Sequence, residues 1–222
     1  MIKGIIFDMD GTILNTIDDI SDSVNYALKK NNLPVKTLDE VKAAVGNGAF
    51  NLIKALLPDP FKTTMFEDVY HDYQNYYDEH ANEKTHVYPD ILELLTTLKL
   101  LGYRCAVVSN KHRYLVEELN KQMFHDAFDV SMGMMEGIPI KPAPDMMEIV
   151  LKEMGLTREQ VFFIGDSDVD ILTAKNAQIL SVGVTWGYRS QTVLEQSGAD
   201  YLIHKPLELL EILKEVRKSG VN

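Results

Sequence analysis

Short apolar runs recur along the chain, each closed by a polar turn and followed by a stretch whose apolar residues fall three and four positions apart. The runs predict strands over 3–8, 104–109, 128–132, 161–165, 179–184 and 200–203. Their central positions are apolar almost without alternation, the pattern of strands buried on both faces. Helical spacing predicts helices over 90–101, 111–121, 145–154 and 168–176, and a last one over about 207–218 with Leu209, Leu213 and Val216 on one stripe. Strands that alternate with helices in this way build a parallel sheet with crossover helices on both faces, a Rossmann-like α/β core.

Residues 14–86 break the alternation. Ile20, Val24, Ala27 and Leu28 form one helical stripe, and Leu52, Ile53, Leu56 and Leu57 form a second that ends at Pro58 and Pro60. A third helix is predicted over 66–80, where Tyr70, Tyr73, Tyr76 and Tyr77 sit at helical spacing; aromatic residues so placed are expected in a core. With no convincing strand, this segment reads as an all-helical cap domain inserted after the first strand. The expected division is a core of residues 1–13 and 87–222 and a cap of residues 14–86. The two crossings, near 14–16 and 86–89, would act as hinges.

Composition narrows the function. The formal net charge of −11 disfavours nucleic acid and anionic membrane surfaces, and favours a small-molecule substrate. An anionic substrate would then need a local cation to reverse the sign inside its site. The single cysteine, Cys105, lies in an apolar run and is expected in the core. No apolar run approaches the ~18 residues of a membrane span, and no leader-like segment precedes the first strand, so a cytoplasmic protein is expected.

The chemistry-bearing residues gather at predicted strand ends, where open parallel sheets bind ligands. The first strand ends in Asp8-Met9-Asp10-Gly11-Thr12, the second in Ser109-Asn110, and the fourth in Gly165-Asp166-Ser167-Asp168-Val169-Asp170; a loop after the third carries Lys141. Asp8 and Asp10 fall on the same side of a strand. Two carboxylates so close require a cation between them or a proton retained by one. Each residue singly has a structural reading as a cap or turn, but four strand ends bearing acids, a hydroxyl and a lysine in this order point to a reaction centre.

Together these motifs resemble the haloacid dehalogenase superfamily, and the likeness spans the whole chain, the helical insert included. The resemblance implies a phosphatase in which Asp8 is the nucleophile and forms an aspartyl-phosphate, while Asp10 acts as general acid and base. It implies that Thr12, Ser109, Asn110 and Lys141 hold the phosphoryl group. Mg²⁺ would be held by Asp8, the Asp10 carbonyl and Asp166, with Asp170 in support. Asp168 reads as a surface or cap residue. Thr185-Trp186-Gly187-Tyr188-Arg189 also resembles a recurrent loop of the family, in which Arg189 either assists anion entry or is a solvated rim residue.

In the insert, Val45-Gly46-Asn47-Gly48-Ala49 resembles the specificity loop of phosphoglycolate phosphatases, so Gly46, Asn47 and Gly48 are candidate substrate contacts; the plain alternative is a helix-to-helix turn. The stretch from Asn15 to Ser21 is similar to the start of the same family's cap. The expected substrate is a small phosphorylated metabolite, 2-phosphoglycolate first, for a monomer or homodimer. A β-phosphoglucomutase-like mutase is weakened by Ile20, which stands where that family has histidine. A pyrophosphatase, a nucleotide phosphatase and a phosphate-sensing module remain as alternatives.

Overall fold

The computed structural model describes residues 1–219. Its strands are β1 (Gly4–Phe7), β2 (Leu14–Asn15), β3 (His86–Val87), β4 (Arg104–His112), β5 (Val130–Met134), β6 (Val161–Gly165), β7 (Leu180–Val184) and β8 (Tyr201–Ile203). Six of them form one parallel sheet in the order β5-β4-β1-β6-β7-β8, while β2 and β3 pair separately. The chain divides into two compact units, residues 1–14 with 87–219 and residues 15–86.

The larger unit has one core on each face of the sheet, because successive strand residues point to opposite sides. Ile5, Phe7, Cys105, Val107, Phe162 and Ile164 face one way; Ile6, Ala106, Val108, Val161 and Phe163 face the other. The first face is covered by three helices whose ranges, Ile91–Leu100, Arg113–Phe124 and Leu209–Ser219, supply Leu94, Leu98, Val116, Leu119, Leu209 and Leu213. The second is covered by the helices Asp145–Met154 and Asp168–Ala177, through Met146, Met147, Val150, Ala174 and Ala177. Each large apolar side chain buried in this way contributes about 1.5–3 kcal/mol. The near-continuous apolar strands are thus explained by two covered faces. Cys105 is buried, and burial pushes its thiol up to about 12.

Chain connections run outward from β1 in one direction to β4 and β5, then return to β6 and continue the other way. The order therefore reverses between β1 and β6, the crevice where doubly wound sheets bind their ligands.

Several local features differ from the sequence reading, among them the short β2–β3 pair at the two crossings, where no strand is expected. Strand β4 continues to His112, so Lys111, expected at a helix start, belongs to the strand, and the helix begins at Arg113. The extension is a bulge: Val108 pairs with Met132 and His112 with Met134, which puts four positions of β4 against two of β5. Gly133 makes room for it, because a Cβ there would lie 2.6 Å from the Lys111 carbonyl oxygen. Strand β5 starts at Val130 rather than 128, and Phe128 packs into the first core instead. Two short helices, Leu38–Ala44 and Gln191–Ser197, went unpredicted because each buries a single residue, Val41 or Leu194, and so shows no stripe.

The smaller unit contains four helices over Ile17–Lys30, Leu38–Ala44, Gly48–Leu56 and Phe66–His80. Of the tyrosine series, Tyr73 and Tyr77 are buried and stack at 5.5 Å, whereas Tyr70 and Tyr76 are half-buried. Buried Asp19 ties the first helix to the end of the unit. Its carboxylate accepts from the Lys84 N–H at 2.9 and 3.0 Å, the Thr85 N–H at 2.8 Å and the Thr85 hydroxyl at 2.7 Å. Charge-assisted bonds of this kind are about twice as strong as neutral ones.

Candidate active site

The carboxyl end of β1 winds tightly around one carbonyl: Met9 O accepts from the N–H groups of Thr12, Ile13 and Leu14 at 3.3, 3.1 and 3.0 Å. Asp8 is anchored to the neighbouring strand, its N–H donating to Ile164 O at 2.8 Å. The turn leaves Asp8 and Thr12 buried and Asp10 half-buried.

At the ends of β1 and β6, the carboxylates of Asp8, Asp166 and Asp170 converge, each with an oxygen within 4.8 Å of the others. The Lys141 Nζ bridges two of them, 2.6 Å from Asp8 Oδ1 and 2.7 Å from Asp170 Oδ1. Asp170 is also fixed from behind by a capping box: its Oδ2 accepts from the Ser167 N–H at 3.1 Å and the Ser167 hydroxyl at 2.6 Å. One side chain thus starts a helix and holds the lysine.

Asp166 is held by the loop after β7. The Tyr188 N–H donates to its Oδ2 at 2.6 Å, and Thr12 Oγ1 stands 3.4 Å from its Oδ1. A Cβ at Gly187 would lie 2.2 Å from the Asp166 Cβ, and one at Gly11 would lie 2.3 Å from its Oδ2. The carboxylate is therefore wedged between two glycines. Trp186 closes the same loop on β1, with Nε1 donating to Thr12 O at 3.0 Å. Asp168 opens the following helix and pairs with Arg189 at 3.3 Å, on the edge of this arrangement.

Asn110 has a partner that the sequence did not show. Its Oδ1 accepts from the Lys141 N–H at 2.8 Å, and its Nδ2 donates to Lys141 O at 3.0 Å, so it clamps the backbone that carries the lysine. Ser109 is buried beside it, its Oγ accepting from the Lys111 N–H at 3.2 Å. Lys111 itself is buried, with Nζ 3.1 Å from Asp10 Oδ1. Lys111 is a site residue the sequence reading missed, although it needed only one more residue of the Ser109-Asn110 motif; the 185–189 loop was singled out by its resemblance, but not the hold that Gly187 and the Tyr188 peptide have on Asp166.

The electrostatics follow from burial. Desolvation, and then the charge of Asp170, pushes Asp166 up to about 7. Asp8 is raised well above the usual carboxylate range by desolvation and by Asp170, Asp166 and Asp10, against the opposing pull of Lys141. Burial alone would lower the Lys141 pKa, but the Asp170 and Asp8 carboxylates overcome it and raise it, so the ammonium keeps its charge. Fully ionised, three buried carboxylates against one bonded ammonium would leave two negative charges uncompensated, which is why Asp8 and Asp166 hold protons more tightly than free carboxyls. The cluster is all hard oxygen and can hold a divalent cation.

In the smaller unit, Gly46 lies between two helices and Gly48 opens the second, with φ of 124° and 77°, backbone that favours glycine. Asn47 caps the second of these helices without a side-chain cap bond, and Asn51 Nδ2 donates to its carbonyl at 2.9 Å.

Fold and cluster define a doubly wound α/β protein with a buried acidic cluster at its switch point. The chain belongs to the haloacid dehalogenase-like hydrolases, whose family model matches residues 5–184. Its relatives include phosphoglycolate phosphatases of Haemophilus influenzae, 34% identical with 93% of this chain and 96% of that protein covered, and of Neisseria meningitidis, 30% identical with 96% and 94% covered. A Lactobacillus delbrueckii subsp. bulgaricus structure, provisionally assigned as a phosphoglycolate phosphatase, superposes with a TM-score of 0.91 at 33% identity, covering 95% of this chain and 98% of its own. A haloacid dehalogenase-like family hydrolase of Streptococcus pneumoniae superposes with a TM-score of 0.88 at 26% identity, covering 96% and 98%. Among the described residues, no helix is long and apolar enough to cross a membrane.

Proposed function

We propose that this hydrolase is a Mg²⁺-dependent phosphomonoesterase acting on a small phosphorylated metabolite, 2-phosphoglycolate foremost. The observation that carries the reading is the buried Asp8, Asp166 and Asp170 cluster bridged by Lys141 at the switch point. The substrate is supported by the names of the relatives and by the glycine-bounded segment at 46–48.

Asp8 attacks phosphorus: an Asp8 oxygen–phosphorus bond forms as the ester oxygen–phosphorus bond breaks, and Asp10 gives its proton to the leaving alkoxide. Water then attacks the aspartyl-phosphate, Asp10 takes the water's proton, and Asp8 and inorganic phosphate are released. Thr12 and Ser109 donate hydrogen bonds to the phosphoryl oxygens, and Lys141 supplies fixed positive charge beside them. Asn110 keeps the lysine at its station by holding its peptide. The ion would be held by Asp8, the Asp10 carbonyl and Asp166, with Asp170 steadying Lys141 rather than ligating. When bound, the ion neutralises charge on the acidic cluster and on the transferring group.

The test is phosphate release from 2-phosphoglycolate, hexose phosphates, nucleotides and pyrophosphate, with and without Mg²⁺, together with rapid-quench trapping of phosphorylated Asp8. The expected result is Mg²⁺-dependent turnover, highest on 2-phosphoglycolate, with label on Asp8. Binding of phosphate without turnover on any substrate overturns the enzyme and leaves a phosphate-sensing module.

A further inference from the structure

We infer that Lys111 reads a second negative charge on the leaving side of the substrate, and so selects phosphate esters that carry a carboxylate next to the ester carbon. The inference rests on the phosphatase reading above and adds the residue that sets its substrate class.

Position is the first argument. Lys111 Nζ is 3.1 Å from Asp10 Oδ1, and Asp10 is the group placed against the leaving oxygen. Two hydrogen-bond steps of about 3 Å each put the ammonium within about 6 Å of that oxygen. In a 2-phosphoester of a hydroxy acid, the carboxylate oxygens lie about 3 Å from the ester oxygen, one methylene away. A carboxylate extending from the ester toward Lys111 therefore closes the gap.

The local fold is the second argument. Lys111 lies inside the register shift between Val108 and His112, on the same irregular stretch of β4 as Ser109 and Asn110. That bulge requires the missing side chain at Gly133. The Lys111 side chain is only 4% exposed, so its charge acts with little screening from water.

Division of labour is the third. Lys141 is held between two carboxylates at 2.6 and 2.7 Å, which fixes it on the phosphoryl side. In a chain of net charge −11, a dianionic ester with a further carboxylate needs a second cation on the other side of the scissile bond. Lys111 is placed there.

The experiment compares kcat/KM for 2-phosphoglycolate, its neutral amide 2-phosphoglycolamide, and ethyl phosphate, in the wild-type enzyme and in Lys111→Met and Lys111→Arg, all with Mg²⁺. The wild type is expected to prefer phosphoglycolate over both neutral esters. In Lys111→Met that preference ratio is expected to fall about 10- to 100-fold, the worth of a charge-assisted hydrogen bond, and Lys111→Arg should retain most of it. Equal proportional losses on all three esters, with the preference intact, overturn the inference and reduce Lys111 to a support for Asp10. A wild type that hydrolyses the acid and its amide equally well overturns it without any variant. Turnover of the neutral esters in that case leaves the phosphatase reading standing, whereas no turnover of any ester removes that reading too.

Discussion

The acidic cluster of the larger unit and the 46–48 segment of the smaller one were both singled out from sequence, and they are built in opposite ways. In the cluster, three residues are held from more than one direction: Asp170 by a capping box and a lysine, Asp166 by an N–H and two glycines, Lys141 by two carboxylates and an asparagine clamp on its backbone. The 46–48 segment is a turn between short helices, shaped by backbone conformation, with Asn47 half-exposed and its side chain making no cap bond. Over-determined geometry suits a reaction whose acceleration comes from positioning and charge placement. A loosely committed turn suits a task that tolerates variation.

The sharpest test of this contrast is Asp8→Asn, which removes the proposed nucleophile and leaves the packing. It is expected to lower kcat by about 10⁴-fold or more with an unchanged circular dichroism spectrum; activity within tenfold of wild type breaks the assignment. Gly187→Ala comes next. A methyl group there collides with Asp166, so about a 100-fold loss of kcat is expected from a small displacement of that carboxylate, measured by steady-state kinetics at saturating Mg²⁺. A variant with normal kcat would show the wedge to be slack.

Stability against pH tests the electrostatic half. Folded Asp166 and Asp8 hold protons more tightly than an unfolded carboxyl of pKa about 4. The folded state therefore binds more protons than the unfolded one, and the contribution of these groups to stability falls as pH rises from about 4 to about 7. With chelator present, Asp166→Asn should lose less of its melting temperature than wild type over that window, and added Mg²⁺ should restore the wild type at neutral pH. Identical profiles for the two proteins would show that the cluster carries no such strain. The smallest effect is expected at the turn: Gly46→Ala should cost about 1 kcal/mol of stability in denaturant melts and change KM more than kcat.

How much of this was legible in the sequence follows the same division. Strand β6 was found to the residue because both its faces are covered and its apolar run is unbroken. The acids of the cluster were found because they sit at fixed offsets from strand ends. Lys111 and Gly133 were missed because a bulge depends on pairing between β4 and β5, and pairing leaves no periodic trace in either strand alone. The Asn110 clamp was missed for a related reason: its partner lies 31 residues away, and its role is defined by backbone atoms. Thr185-Trp186-Gly187-Tyr188-Arg189 was legible as a loop resembling one of the family, but its hold on Asp166 was not, because the Tyr188 peptide and the absent side chain at Gly187 leave no trace in a hydropathy pattern.

The wedge around Asp166 has an evolutionary corollary. With Gly11 and Gly187 pressed against one carboxylate, neither position has room for a side chain. Descendants of such a protein can abandon the reaction by losing a group there, but any residue larger than glycine at either turn displaces the carboxylate between them. New preferences are therefore reached by changing what meets the rest of the molecule being cleaved, which leaves the bond-breaking apparatus inherited intact.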